Sequence, residues 1–243
     1  MFSSTAKSKP QVVFLPLLAL LAAGGIVRPL EKRLAGQSLQ PDQIVRFSGN
    51  GLMGMLGGMR SVVAGGLWLQ LNQAWEQQDA AGTRALLELT VAADERPLYY
   101  WLNGARMLAY DVPTWTGAVD QPEVVRRKAA TEGAAAACAF LEEGLKRHPQ
   151  SVEVLIEMAN IQLRAGGDRE EAAALFRRAA QQPGAPYYAA RIHGELLREL
   201  GRPAEGLAWL REILPNLPAD DPAACRAVVE QRIKALEAEL GEK

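Results

Sequence analysis

Over the last two thirds of the chain, apolar positions recur at helical spacing rather than in strand-like alternation. Trp68, Leu71 and Trp75 form an i, i+3, i+7 stripe, as a buried first helix requires. A second pattern recurs further along: a small residue, a bulky apolar one four later, a small or apolar one three after that, and a closing proline. It reads Ala85, Leu89, Ala92, Pro97, then Ala137, Leu141, Gly144, Pro149. It returns as Ala172, Phe176, Ala179, Pro183 and as Gly206, Leu210, Ile213, Pro218. The first members lie 52, 35 and 34 positions apart. Small residues let two helices lie close, the bulky one fills the groove between them, and proline ends the unit because it cannot continue a helix.

Turn chemistry supports the same segmentation. In Gly167-Asp168-Arg169-Glu170-Glu171-Ala172 the glycine ends one helix and Asp168 is placed to cap the next. Gly201-Arg202-Pro203-Ala204-Glu205-Gly206 repeats that arrangement. Asp221-Pro222 opens a last helix to about Leu240, whose Glu230, Arg232, Lys234, Glu237 and Glu239 suit a solvated cap on the stack. The long interval exceeds the repeat by about 18 residues and contains Pro113 and Pro122, so 111–122 is expected to be an inserted loop. Trp115 within it either folds back on the helices or meets a partner.

With two intervals near 34 residues, the region from Leu67 to Pro218 resembles the tetratricopeptide repeat family. The second helices carry the likeness. Gly194 matches a small first-helix position, whereas Asn160 and Gln73 depart from it. The stretch from Gly57 through Leu67-Trp68-Leu69 to Tyr110 is also similar to bacterial membrane-anchored repeat proteins. The resemblance implies an all-α fold, a solenoid of helix pairs with a C-terminal capping helix, and a concave groove lined by first helices that holds a peptide. On that reading Glu157, Arg164, Tyr188, Arg191, Glu195 and Arg198 face a partner, joined by Trp115 of the insert. The basic and asparagine clamp that some relatives place on C-terminal carboxylates has no match here.

The N-terminal pattern differs. Lys7 and Lys9 precede an uncharged run from Val12 to Val27, and Arg28, Lys32 and Arg33 follow it. Such a run with snorkelling flanks approaches the roughly 20 residues that span a bilayer. Ala22-Ala23-Gly24 would also suit signal-peptide cleavage, but the apolar run continues past it to a basic stop. Residues 1–34 are therefore expected to be a membrane anchor, 35–57 a glycine-rich juxtamembrane linker, and 58–243 the repeat domain. The very short leading tail favours a body on the extracytoplasmic side of a bacterial inner membrane.

Composition narrows function mainly by exclusion. Lys+Arg 27 against Asp+Glu 28 leaves a net charge of -1, so no field attracts nucleic acid. Cys138 and Cys225 read as small buried hydrophobes in alanine-rich helices, and the two histidines, His148 and His193, lack the spacing of a zinc pair. Gly49-Asn50-Gly51-Leu52-Met53-Gly54 formally matches a dinucleotide fingerprint. That chemistry needs a buried strand before it and a parallel sheet around it, and neither pattern occurs. Gly54 and Gly58 instead share a helical face suited to close packing. No catalytic constellation, cofactor or metal is expected. The expected function is a membrane-held scaffold for a protein partner, or else a permanent subunit of a membrane complex joined through the glycine-rich segment.

Overall fold

The computed structural model describes residues 59–116, 121–165 and 167–241. The expected anchor, the linker and the glycine fingerprint lie outside the described residues. Among those described, all regular structure is helical, with no strand. The order is α1 (Arg60–Glu76), α2 (Ala80–Ala93), α3 (Leu98–Arg106), a π-helical turn (Met107–Asp111), α4 (Val112–Thr116) and α5 (Glu123–Arg147). Then come α6 (Val152–Arg164), α7 (Arg169–Ala180), α8 (Tyr187–Glu199), α9 (Pro203–Ile213) and α10 (Arg226–Leu240). Short 3-10 turns at Leu214–Asn216 and Pro222–Ala224 join α9 to α10.

Helices α1 to α3 and α5 to α10 pack on one another in chain order, and α3 also touches α6. Side-chain caps start several of them. Asp79 accepts from the Gly82 N–H, Ser151 from Val154, and Asp168 from Glu170 at 2.8 Å. The Asp168 cap is the one the turn sequence predicts. Gly201 turns the chain at φ +75°, a left-handed conformation that a side chain would strain.

The repeated packing pattern is seated in three of its four occurrences. Ala137, Leu141, Ala172, Phe176 and Ala179 are wholly buried, and Leu210 is nearly so. Gly206 lies against α8, where an added Cβ would stand 3.0 Å from the Gly194 carbonyl oxygen. The first occurrence needs correction. Ala92 is exposed, while Thr83, Leu87 and Thr90 are buried with the same four-then-three spacing. Threonine serves as the small residue there: Thr90 turns its hydroxyl back onto the Leu86 carbonyl at 2.7 Å. Leu87 then fills the groove beside Gly104 of α3.

Two further expectations change. Trp68 and Leu71 are buried, but Trp75 is 37 % exposed and Ala74 takes the inward position. Its indole N–H instead donates to Asp111 Oδ2 at 2.8 Å. The expected loop at 111–122 is helical as far as Thr116. Pro113 lacks an N–H and its ring would crowd the carbonyl four residues back, which ends an ordinary helix. Widening the turn to π geometry lets the Val112 N–H reach the Met107 carbonyl and carries the helix past the proline. Gly133 of α5 receives the proline ring; a Cβ there would lie 2.3 Å from Pro113 Cγ and 2.8 Å from the Leu108 carbonyl oxygen.

At the C-terminal end, Val229, Ile233 and Leu236 of α10 seal a core of Leu197, Leu207, Trp209 and Leu210. Cys225 lies at a half-buried junction with φ 47°, outside any helix, whereas Cys138 is buried in α5; neither is paired.

Candidate partner-binding groove

The three helices α3, α6 and α8 line a cleft of ≈ 520 Å³, to which Leu102, Arg106, Ile156, Asn160 and Tyr188 contribute. Its floor is an ion pair. The Arg106 Nε–H donates to Glu157 Oε1 at 3.0 Å and its Nη2–H to Oε2 at 2.6 Å, a bidentate contact. Glu157 stands among Val154, Leu155, Met158 and Ile161 and is 7 % exposed. A carboxylate on such an apolar face requires a partner cation, and Arg106 reaches it from 51 residues away while remaining half exposed itself. The pair raises the pKa of Arg106, through its hydrogen bond to Glu157. Burial, helped by the Glu157 charge, pushes the Tyr110 hydroxyl up as well, so it stays a neutral donor.

The seven predicted residues divide. Glu157 and Tyr188 share this cleft, one as its floor and the other 41 % exposed within it. Arg164 is exposed in the last turn of α6. Arg191 and Glu195 line a separate, smaller cleft between α8 and α10; the Arg191 Nη1–H group donates to the Ala223 and Ala224 carbonyls at 3.1 and 3.0 Å, tying α8 to the turn before α10. Glu195 accepts from Arg198 at 2.5 Å and pairs with Arg232 of α10 at 3.0 Å. The Arg198 hydrogen bond holds the Glu195 carboxyl below its ordinary range. Trp115 folds back with its ring on Trp75, centroids 6.4 Å apart. Arg106 and Asn160 are among the cleft residues that the sequence did not assign to a partner; an acidic residue on the apolar face of α6 was the available signal for a buried cation partner.

Other clefts lie between second helices. One, floored by His193 and Trp209, separates α7 from α9, and Arg177 lies 5.8 Å over the Trp209 ring. His193 Nδ1–H donates to the Ala173 carbonyl at 2.8 Å, and burial lowers its pKa. Among the described residues no group of three or more His, Cys, Asp or Glu side chains could hold a metal ion, and no helix is long and apolar enough to cross a membrane. What the α3–α6–α8 cleft offers chemically is hydrogen bonding by Asn160 and Arg106 beside the aromatic surface of Tyr188. Compared with known protein families, curated proteins and solved structures, the chain finds no match.

Proposed function

We propose that the chain is a membrane-anchored scaffold whose helix pairs form a tetratricopeptide-like solenoid, and that it holds a peptide segment of a protein partner in the cleft between α3, α6 and α8. The observation that carries this reading is the cleft's mixed lining. Tyr188, 41 % exposed, lines the same cleft as Arg106 and Asn160. Tyrosine and arginine are enriched where binding energy concentrates. Arg106 is held in place by Glu157, so little side-chain freedom is lost when a ligand arrives.

Packing of helices in chain order, with α3 also meeting α6 of the next pair, supports the solenoid. The apolar run from Val12 to Val27 supports the anchor. The test is site-specific photocrosslinking of the full chain in its own membranes, with the photoreactive residue at Tyr188 or at Arg178 on α7. The expected result is a discrete protein adduct at 188 that Arg106→Ala abolishes, with none at 178. Equal labelling at both positions, or an adduct indifferent to Arg106→Ala, overturns the reading.

A further inference from the structure

Helix α1 carries apolar residues on both sides, with Gln70 and Gln73 exposed beyond Leu69. Ala64, Trp68, Leu71 and Ala74 are buried on one. On the other, Met59, Val62 and Leu69 are 50, 67 and 71 % exposed, and a side chain added at Gly66 would meet nothing. Clustered apolar side chains at one end of an outer face are a feature that calls for cover, and among the described residues they have none. From Ser61 to Trp75 the helix carries no charged residue, in a chain in which 23 % of residues are charged. Basic groups gather at its N-terminal end. Arg60 is exposed there, and Arg96 reaches Ser61 while neutralising the buried Asp94.

From these features we infer that the outer side of α1 lies on a lipid surface, with Met59, Val62 and Leu69 entering the acyl boundary and Arg60 and Arg96 meeting headgroup phosphates. The inference rests on the anchor proposed above. The anchor run ends at Val27, and the 31 residues from Arg28 to Gly58 leave α1 within reach of the bilayer. Charge and size both favour lipid over a second copy. Three side chains expose on the order of 300 Å², well short of the roughly 800 Å² per partner of a stable protein interface. Dipping a few apolar side chains beside basic residues at the headgroup level is what an interfacial helix does. The helix does not span, because its inner side is committed to α2.

The test uses the full chain with Cys225→Ser, reconstituted in vesicles of equimolar phosphatidylcholine and phosphatidylglycerol. An environment-sensitive fluorophore is attached at Leu69→Cys, or at Val124→Cys on α5 as the comparison; Cys138 is buried. Expected are a blue shift and loss of emission with spin-labelled lipid at position 69 and neither at position 124. A position-69 probe that stays water-exposed overturns the inference. So does a blue shift without lipid quenching, which means that protein covers the face, and so does equal quenching at both positions. Alkaline washing of a parallel sample judges the anchor separately: release of the chain sinks that reading, whereas retention with an unquenched position 69 sinks only this one.

Discussion

At the scale of single residues, buried polar groups decide the chemistry. His193 is held neutral, its Nδ1–H on the Ala173 carbonyl and its ring edge-on to Trp209 at 4.9 Å. Burial lowers its folded pKa, so in the interval below the ordinary imidazole value of about 6.5 the unfolded chain binds the extra proton. Stability is therefore complete above that value and declines as pH falls through it. Thermal melts between about pH 7.5 and pH 5 should reveal the loss, and His193→Gln, which retains a donor for the carbonyl, should flatten it. Thr83 offers the opposite case, a buried hydroxyl without a hydrogen-bond partner among the described residues. Thr83→Val removes the unpaired group at constant shape and should raise stability by about 1 kcal/mol in denaturant titration. The cysteines should differ in reactivity: burial pushes the Cys138 thiol up to about 11, whereas Cys225 is half exposed. Alkylation of the native chain at neutral pH, read by mass spectrometry, should modify Cys225 and spare Cys138.

At the scale of the element, α7 is the strictest example of the repeated packing pattern. Ala172, Phe176 and Ala179 have no exposed surface, and Glu171 is exposed. Phe176→Ala should cost about 3–5 kcal/mol through the cavity it leaves. Ala172→Leu should cost about 1–3 kcal/mol by overpacking. Glu171→Leu should change stability by less than about 0.5 kcal/mol, because that side chain meets water. Melts of the three variants decide it, and a severe Glu171→Leu effect would mean that the helix is rotated. This register was legible in the sequence because alanine, phenylalanine and alanine are unambiguous at four-then-three spacing. The register of α2 was not. Alanines at 85 and 92 imitate the pattern, while Thr83 and Thr90 fill it, and only the neighbouring helix distinguishes a buried threonine from a solvated one. Arg191 and Glu195 show a related limit of residue type: the sequence offers them to a groove without showing which later segment meets them. In the fold Arg191 ties to the turn before α10 and Glu195 pairs with Arg232 of α10, more than 25 residues downstream.

At the scale of the whole molecule, neighbouring helices support one another and remote ones do not, so damage should stay local. In Phe176→Ala, hydrogen exchange should rise first in α6 to α9 and last in α1 and α2, which share no contact with α7 strong enough to rank among the principal helix pairs. Uniform acceleration across all helices would mean a single cooperative unit instead. The all-helical character and the segmentation into pairs were readable from spacing alone. The cleft was not, since Arg106 meets Glu157 across 51 residues. The π turn at Met107–Asp111 has one more consequence. It fits an extra residue into a single helical turn, so it acts as a phase slip in a screw thread. An ordinary helix advances about 100° per residue, so the same extra residue in a turn that did not widen would rotate all that follows by about that angle. Val112, now 1 % exposed, would swing towards water, and Trp115 would leave Trp75. The wider turn thus keeps the two ends of the helix in step with different neighbours.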